Sequence, residues 1–210
     1  MQRAGEGPTI QFPFRLVFVR HIETASNVEG RLQGQRDVPL NARGRDQAAS
    51  LGRALSFALG PEIRRLEAAD AFFASPLSRA RETMELMRAA MRLPAERYLL
   101  EPALKELSFG DWEGLTWSEI RARDPGGAEA RRADKWGFVP PGGESYAMLA
   151  KRVQVWLAGR AGDAFIVAHG GVARTLMVLL AGAPPQTAAE APIPQGLAMI
   201  FDRRTWRLCG

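Results

Sequence analysis

The chain alternates between two patterns of apolar residues, one typical of buried strands and one typical of helices. Uninterrupted apolar runs at 16–19, 71–74 and 164–168 predict strands that are buried on both faces. Apolar residues spaced three or four apart predict helices over 42–59, 78–91, 144–157 and 172–180. Gly60-Pro61 is expected to end the first of these helices. Strands that alternate with helices predict an α/β fold, in which helices cover both faces of a mostly parallel sheet.

The segments between these elements carry weaker patterns. The further elements we expect are a third strand at 98–100, a short helix capped by Thr116 or Ser118 and ending near Arg123, and a hairpin of 197–201 and 206–209 around Arg203-Arg204. Residues 124–143 are rich in proline and glycine, which predicts a surface insertion or lid. We therefore expect a flexible N-terminal tail at 1–13 and a single domain at 14–210, with a lid-like excursion near 104–143.

Composition narrows the classes of protein that the chain can represent. The 210 residues suffice for one domain with a sizeable core, and the 46% hydrophobic content excludes a disordered chain. The net charge of +5 is of the sign found in proteins that bind nucleic acid, but the arginines are scattered and no nucleic-acid-binding motif is present. No apolar run is long enough to cross a bilayer, and 1–13 lacks the apolar centre of a secretory signal. We therefore expect neither a nucleic-acid nor a membrane partner.

The counts of cysteine and histidine are equally informative. Cys209 is the only cysteine, which rules out an internal disulfide and indicates a reducing, cytoplasmic location. The two histidines are too few for a His-rich metal centre. We therefore expect no metal and no cofactor.

Both histidines stand at the ends of strongly apolar strands. His21 follows 16–20, and His169 follows 164–168. In parallel sheets, ligands bind outside the carboxyl ends of the strands, so the two imidazoles are expected at one site. A neutral imidazole is a competent nucleophile toward phosphorus, and a second imidazole, if protonated, would hold a phosphoryl oxygen.

Two arginines are expected beside these histidines. Arg20 precedes His21, and Arg79 lies in the first turn of the helix that follows strand 71–74. Guanidinium groups offer planar, paired donors that match phosphate oxygens. Arg20 and Arg79 are thus placed to neutralise the charge on a transferring phosphoryl group.

Short motifs in a fixed order connect these segments to a known family. They are Arg20-His21-Ile22-Glu23-Thr24 with Asn27, Arg31-Leu32-Gln33-Gly34, Leu40-Asn41-Ala42-Arg43-Gly44, Ser75-Pro76-Leu77-Ser78-Arg79-Ala80, Leu104-Lys105-Glu106, Gly110-Asp111-Trp112-Glu113-Gly114, Pro141-Gly142-Gly143-Glu144-Ser145 and His169-Gly170-Gly171. In these motifs the chain resembles the histidine phosphatase superfamily, which includes the cofactor-dependent phosphoglycerate mutases. The resemblance extends over about 16–201. The resemblance implies a phosphoglycerate mutase-like fold, a three-layer α/β/α sandwich around a mostly parallel sheet.

The resemblance also implies a role for each matching residue. His21 matches the nucleophile that becomes phosphohistidine, and Arg20, Arg79 and His169 match the rest of the phosphate pocket. Asn27 and the amide of Gly170 match further phosphate or substrate contacts, while Gln33 and Gly34 match the loop that meets the rest of the substrate. Glu106 matches the acid that protonates the leaving oxygen and then activates water.

A carboxyl group that acts as an acid near neutral pH needs burial or a neighbouring charge to keep its proton. The apolar residues around Glu106, namely Leu104, Leu107, Phe109 and Trp112, are placed to provide that burial. Glu113 is the competing candidate, and its place in the motif makes Glu106 the preferred one.

One residue departs from the family pattern, because Ile22 stands where the family typically has glycine. A β-branched residue disfavours positive φ and adds bulk. Ile22 is therefore expected to narrow the site, to tilt His21, or to point into a neighbouring apolar space. The first two outcomes would lower or abolish turnover.

Three functions remain open from the sequence. A phosphomonoesterase acting on a small phosphorylated metabolite is favoured, because the chain is shorter than the family's mutases and has Gly171 where these have asparagine. The alternatives are a cofactor-dependent phosphoglycerate mutase and a binder of phosphorylated ligands that Ile22 has made weakly active or inactive. Neither the substrate nor the choice between monomer and homodimer can be predicted from the sequence.

Overall fold

The structure is a computed structural model that describes residues 13–202 and 205–210. Nearly all of the expected tail, 1–12, lies outside the described residues, as do Arg203 and Arg204 at the expected hairpin turn.

A six-stranded sheet forms the middle of the molecule. Its strands are β1 (Leu16–Arg20), β2 (Phe72–Ala74), β3 (Leu99–Leu100), β4 (Ala164–Ala168), β5 (Ala198–Asp202) and β6 (Thr205–Cys209). Their order across the sheet is β3-β2-β4-β1-β5-β6. The first four strands in this order run parallel, and β5 and β6 are antiparallel to their neighbours. The predicted α/β fold with a mostly parallel sheet is confirmed.

Eight α-helices and two short 3₁₀ helices connect the strands in the described part of the chain. The α-helices are α1 (Ala25–Val28), α2 (Ala42–Ala68), α3 (Ser78–Ala90), α4 (Trp117–Arg123), α5 (Pro125–Ala133), α6 (Tyr146–Ala158), α7 (Gly170–Ala181) and α8 (Pro185–Glu190). The 3₁₀ helices are Pro102–Leu104 and Gly110–Trp112. Of the two proposed caps for α4, the structure shows Thr116, whose side chain accepts from the Glu119 amide.

Two apolar clusters, one on each face of the sheet, make up the core. Val17 and Val19 of β1 belong to the cluster that α2 and α3 cover. Leu16 and Phe18 point the other way, into the cluster that α6 and α7 cover. All four side chains are at most 1% exposed, as the uninterrupted apolar run predicts.

The prediction that Gly60-Pro61 ends the helix starting at residue 42 is wrong. α2 continues to Ala68, and the only departure from helical geometry is a kink at Leu59, where φ is −128° and ψ is 21°. The kink accommodates the missing N–H and the ring of Pro61. Ile63 and Leu66 beyond the kink are 2% and 3% exposed. Their burial against the sheet outweighs the intrinsic cost of proline.

The proline- and glycine-rich part of the expected excursion, 124–143, is more regular than its composition predicts. It contains α5, and its aromatic side chains pack on the body of the domain. Phe138 stacks on Trp112 with ring centroids 5.3 Å apart, and Trp136 stacks on Tyr146 at 5.7 Å. These contacts fix the excursion in place in this structure, and its behaviour as a lid stays a prediction.

Among the described residues, no helix is both long and apolar enough to span a lipid bilayer.

The crossing of α2 and α3 generates a prediction about stability. A Cβ atom at Gly52 would lie 2.6 Å from the Met87 carbonyl oxygen and 2.9 Å from the Ala90 Cβ. Gly52→Ala should therefore force the helices apart and lower the free energy of unfolding by about 1–3 kcal/mol, measured by urea denaturation. Gly126→Ala is the control, because it lies in α5 with no atom within 4 Å. It should leave stability unchanged or raise it by less than about 1 kcal/mol. Equal effects of the two substitutions would contradict the packing argument.

Candidate active site

The carboxyl ends of three adjacent parallel strands bring the predicted site residues together. Arg20 pairs with Ala168 in the register of β1 and β4, so His21 and His169 directly follow a pair of facing residues. The His21 amide donates to the Ala168 carbonyl oxygen at 2.8 Å, and the Ser75 amide after β2 donates to Val167. The sheet order β2-β4-β1 therefore dictates that the histidines share one site.

The two imidazole rings face each other across this edge. Their centroids are 5.2 Å apart and the rings are tilted by 55°. His21 is 3% exposed and His169 is fully buried. We refer to Arg20, His21, Arg79 and His169 together as the basic cup.

The hydrogen bonds of His21 determine which nitrogen carries its proton. Nδ1 lies 2.8 Å from the Ile22 carbonyl oxygen, which can only accept. In the neutral ring Nδ1 therefore carries the hydrogen, and Nε2 keeps a lone pair. That is the state in which an imidazole acts as a nucleophile.

The hydrogen bond with Ser75 fixes the tautomer of His169. The Ser75 hydroxyl oxygen lies 2.7 Å from His169 Nε2 and also accepts from the Leu77 amide at 3.4 Å. Since Ser75 is fully buried, Nε2 is the acceptor that the hydroxyl hydrogen can reach among the described residues. This arrangement leaves the hydrogen of the neutral His169 ring on Nδ1, which turns that atom into a donor.

Carbonyl oxygens, rather than carboxylates, hold the two arginines. Arg20 donates through Nη1 to Ile193 at 2.7 Å. Arg79 donates through Nη1 to Arg36 at 2.8 Å and through Nη2 to Gly34 at 2.7 Å. Both guanidinium groups are thus oriented by neutral acceptors, and neither forms an ion pair among the described residues.

The side chains of Arg20, Arg79 and His169 each have a buried nitrogen without a hydrogen-bond partner among the described residues. The atoms are Nε of Arg20, Nε of Arg79 and Nδ1 of His169. Buried donors are almost always satisfied, and a cluster of unsatisfied ones indicates a site for a ligand rich in acceptor oxygens. A Cβ at Gly170, the first residue of α7, would lie 3.8 Å from Arg20 Nε, so the positive end of that helix faces the same space.

Burial and charge together set the protonation of the cup. Burial lowers the pKa of His21 well below its ordinary 6.5, and the charges of Arg79 and Arg20 lower it further. Burial likewise lowers the pKa of His169 well below 6.5, with Arg79 and His21 adding to the effect. Burial also lowers the pKa of Arg79, to about 10, which leaves it charged at neutral pH. Neutral imidazoles between charged guanidiniums suit attack on an anionic group, and His169 needs no extra proton to donate.

Glu106 lies at the mouth of the cup, against the first turn of α7. The Gly171 amide donates to both carboxylate oxygens, at 3.1 and 3.0 Å, and the Leu107 amide donates to Oε1 at 3.0 Å. A Cβ at Gly170 would be 4.0 Å from Glu106 Oε2. The side chain is half-buried, although its apolar sequence neighbours lie fully in the core. Its position beside the cup matches the predicted exchange of protons with a leaving group.

Glu113, the competing candidate, has a structural role. Its Oε1 accepts from the Gln35 amide at 2.9 Å and from the Phe109 amide at 3.1 Å. A Cβ at Gly34, where φ is +52°, would overlap the same carboxylate. Glu113 therefore holds two loops together, which supports the choice of Glu106.

The remaining predicted contacts lie around the cup. Asn27 Oδ1 accepts from the Thr24 amide at 3.1 Å and from Gln195 at 3.2 Å, which leaves the amide nitrogen of Asn27 for a ligand. Gln33 is 8% exposed, and its Oε1 is buried without a partner among the described residues. Gly34 contributes its carbonyl oxygen to Arg79, as described above.

Sequence analysis missed the segment 191–195, which supports the cup from the far end of the chain. The carbonyl oxygen of Ala191 accepts from Arg174 at 3.1 Å, and that of Ile193 accepts from Arg20. Gln195 donates to the His21 carbonyl oxygen at 2.9 Å as well as to Asn27. The segment has no apolar periodicity and no motif, so no signal in the sequence identifies it.

The structure settles where Ile22 points. Its side chain is fully buried in the cluster under α2 and α3, away from the cup. Among the described residues other than glycine, positive φ occurs only at Asp70 and Arg92, so the Ile22 backbone is unstrained. Its amide donates to Thr83 Oγ1 at 3.2 Å. Of the three expected outcomes, the structure shows the third, and glycine is not required here.

No group of three or more metal-binding side chains is clustered within 13–202 and 205–210. We propose no metal site.

Comparison with known proteins places the chain in a family. The family model of the histidine phosphatase superfamily (branch 1) matches residues 16–206. The chain belongs to that superfamily, as its motifs predict.

The relatives include both phosphatases and mutases. The chain is 29% identical over 193 residues to the adenosylcobalamin/alpha-ribazole phosphatase of Escherichia coli (strain K12), covering 90% of this chain and 89% of that protein. It is 33% identical over 195 residues to a 2,3-bisphosphoglycerate-dependent phosphoglycerate mutase of Methylobacterium radiotolerans, covering 89% and 88%. The crystal structure of the alpha-ribazole phosphatase from Shigella flexneri superposes with a TM-score of 0.75 at 28% identity, covering 93% and 94% of the two chains.

The tautomers of the two histidines can be measured directly. We expect both rings to be neutral at pH 6, because their folded-state pKa values lie well below 6.5, with the hydrogen on Nδ1 in each. Long-range ¹H–¹⁵N correlation spectra distinguish the tautomers, and His21→Ala assigns the signals of the only other histidine. Ser75→Ala should lower the Nδ1–H population of His169 and leave His21 unchanged. A charged ring at pH 6, or an Nε2–H tautomer at His21, would refute the assignment.

The position of Ile22 predicts the outcome of restoring glycine. Ile22→Gly removes a fully buried side chain and should lower the free energy of unfolding by about 2–5 kcal/mol, with no gain in phosphate release. Ile22→Val should cost about 0.5–1.5 kcal/mol. Urea denaturation and a phosphate-release assay on both variants test this. A large gain of activity in Ile22→Gly would instead show that isoleucine disables the site.

Proposed function

We propose that the protein is a phosphomonoester hydrolase that passes the phosphoryl group of a small phosphorylated metabolite to His21 and then to water. The observation that carries this proposal is the cluster of buried, unpartnered nitrogens of Arg20, Arg79 and His169 around a neutral His21. Membership of the histidine phosphatase superfamily supports the same chemistry.

In the first step, the lone pair of His21 Nε2 attacks phosphorus, and the bond from phosphorus to the ester oxygen breaks. Glu106 in its acid form gives its proton to the departing oxygen, so an alcohol leaves and phosphohistidine remains. Charge on the transferring group is stabilised by the guanidiniums of Arg20 and Arg79 and by the Nδ1–H of His169.

In the second step, a water molecule attacks the same phosphorus atom from the side that the alcohol has left. Glu106, now a carboxylate, takes a proton from that water, and the bond from phosphorus to Nε2 breaks. Inorganic phosphate leaves and His21 returns to its neutral state. Glu106 thus serves as the acid in the first step and as the base in the second. Its place at the mouth of the cup supports both roles.

The surroundings of Glu106 favour hydrolysis over a mutase reaction. A Cβ at Gly171 would overlap Glu106 Oε1. The asparagine that the family's mutases carry at this position would displace the carboxylate from the Gly171 amide, where it sits in this chain. The buried position of Ile22 argues against the inactive binder, because nothing at residue 22 obstructs the cup.

A small phosphorylated metabolite as substrate, a cytoplasmic location and a monomeric or homodimeric state stay predictions from the sequence.

The proposed roles of His21 and Glu106 predict a dependence on the leaving group. Ethyl phosphate needs a proton on its departing oxygen, whereas 4-nitrophenyl phosphate does not. Glu106→Gln should therefore lower ethyl phosphate hydrolysis by at least about 10²-fold. With 4-nitrophenyl phosphate, the same variant should release about one equivalent of nitrophenolate in a burst and then turn over slowly. Rapid-quench measurements resolve both phases.

Two controls complete this test. His21→Ala should show no burst and only the background rate of hydrolysis, and rates equal to those of the native protein would refute the proposed nucleophile. Glu129→Gln removes an exposed carboxylate that pairs with Arg132 at the surface, and it should leave both substrates unaffected.

A further inference from the structure

Glu106 lies in a segment of irregular backbone. Residues 105–109 connect the two 3₁₀ helices, Pro102–Leu104 and Gly110–Trp112. The Leu107 and Gly171 amides orient the carboxylate, but they place it correctly only if the backbone of residue 106 is fixed as well. This requirement is strict, because misplacing a reacting group by about 1 Å can cost about 10²-fold in rate.

Two side chains from distant parts of the chain hold the Glu106 carbonyl oxygen. Gln35 donates to it through Nε2 at 3.1 Å, and Arg152 of α6 donates to it through Nη2 at 3.0 Å. Arg152 also donates through Nη1 to the Ala103 carbonyl oxygen at 2.6 Å. One guanidinium group therefore fixes the backbone on both sides of the turn that precedes Glu106.

The carboxylate of Glu144, just before α6, orients both donors. Its Oε2 accepts from Arg152 Nη2 at 3.1 Å, from Gln35 Nε2 at 3.3 Å and from the Ser108 amide at 3.0 Å. The side chains of Arg152 and Glu144 are only 23% and 21% exposed, which shields their ion pair from the screening that weakens exposed pairs. We refer to Gln35, Glu144 and Arg152 together as the acid clamp.

The loop that carries Gln35 also orients a member of the basic cup. The carbonyl oxygens of Gly34 and Arg36, on either side of Gln35, accept from Arg79. The side chain of Gln35 extends from this loop to Glu106. One short loop thus joins an arginine of the cup to the backbone of the acid, and it limits how far the two can move apart.

We propose that Gln35 and Arg152 are positioning residues for Glu106, and that Glu144 holds both of them in place. The inference rests on the proposed function, since it takes Glu106 as the acid and then the base of the reaction. In this role the acid clamp acts on the backbone of residue 106 and not on the substrate. Gln35 and Arg152 lie outside all the motifs that connect the chain to its family.

The charge of Arg152 offers a competing explanation. Burial and the charge of Arg79 are the main causes that lower the pKa of His169, and the charge of Arg152 contributes to a smaller extent. Arg152→Lys separates the two roles, because it keeps the charge but loses the planar fork that reaches two carbonyl oxygens. Gln35→Met removes the other donor at a similar side-chain length without changing any charge.

The dependence on the leaving group tests the positioning role. In single turnovers by rapid quench with enzyme in excess, Gln35→Met and Arg152→Lys should each lower the rate with ethyl phosphate at least about tenfold. Release of nitrophenolate from 4-nitrophenyl phosphate needs no acid, so its rate should stay within about twofold of native. Gln186→Met in α8 and Arg53→Lys in α2 are the controls, since both residues are exposed, and they should leave both rates unchanged.

A measurement without substrate reports the position of Glu106 directly. The Gly171 amide donates to both carboxylate oxygens, so its ¹H–¹⁵N signal depends on the carboxylate being in place. Glu106→Ala gives the reference signal of the amide without that acceptor. In Gln35→Met and in Arg152→Lys the Gly171 signal should move towards this reference, whereas in the two control variants it should keep its native position.

The two proposals can fail separately. If the native protein hydrolyses both esters but the clamp variants lose rate equally with both, or lose none, the hydrolase stands and the positioning role is wrong. If the native protein hydrolyses neither ester, the hydrolase is wrong and the Gly171 signal decides the clamp. An unmoved signal in Gln35→Met and Arg152→Lys would overturn the positioning role in either case, and one folded variant suffices for each test.

Discussion

Positive charge is gathered at one edge of the sheet without a direct ion pair to Arg20 or Arg79 among the described residues, and this constraint governs the rest of the structure. An ion pair with each guanidinium would be the simplest way to bury Arg20 and Arg79, but it would also cancel the charge that an anion needs. Neutral carbonyl oxygens hold both side chains instead. They fix the direction of the donors and leave the charge for a ligand. Burial lowers the pKa of His21, and the charges of Arg79 and Arg20 lower it further, so the imidazole stays neutral beside the guanidiniums.

This constraint explains why segments far apart in the chain must converge. Carbonyl oxygens reach Arg79 only because the loop at 33–36 crosses over α3, and Glu113 ties that loop to 108–114. The carbonyl for Arg20 comes from Ile193, 173 residues away. Loops from distant parts of the chain therefore orient the side-chain donors. The parallel strands determine only where the backbone of these residues lies.

The sequence predicts the parts of the site that depend on local pattern. β1 and β4 are uninterrupted apolar runs that end in histidine, and parallel strands place such ends side by side. The contact of Ser75 with His169 joins residues 94 apart, and Gln195 bonds to the His21 carbonyl oxygen, 174 residues away. Neither hydrogen bond corresponds to a periodic pattern in the sequence. The extension of α2 past Pro61 was missed for a related reason, since tertiary burial of its last turns overrides a local signal.

The position of Ile22 shows how one motif residue can change without the site changing. A glycine matters where φ must be positive or where another group comes too close for a Cβ. Ile22 has neither condition, because its backbone is ordinary and its side chain enters the core beneath β1. Gly171 and Gly34 are different, since a side chain at either would overlap a carboxylate that orients the site. Whether a motif position requires glycine therefore depends on its backbone φ and on the atoms next to it.

The cup and the segment 124–143 are built from different kinds of structure. The cup rests on strand ends and the first turn of α7, where any shift would disturb the core. The segment 124–143 packs on the rest of the domain through stacked aromatic rings, Phe138 on Trp112 and Trp136 on Tyr146. Residues 124–143 can therefore vary without disturbing the strand ends that hold the cup.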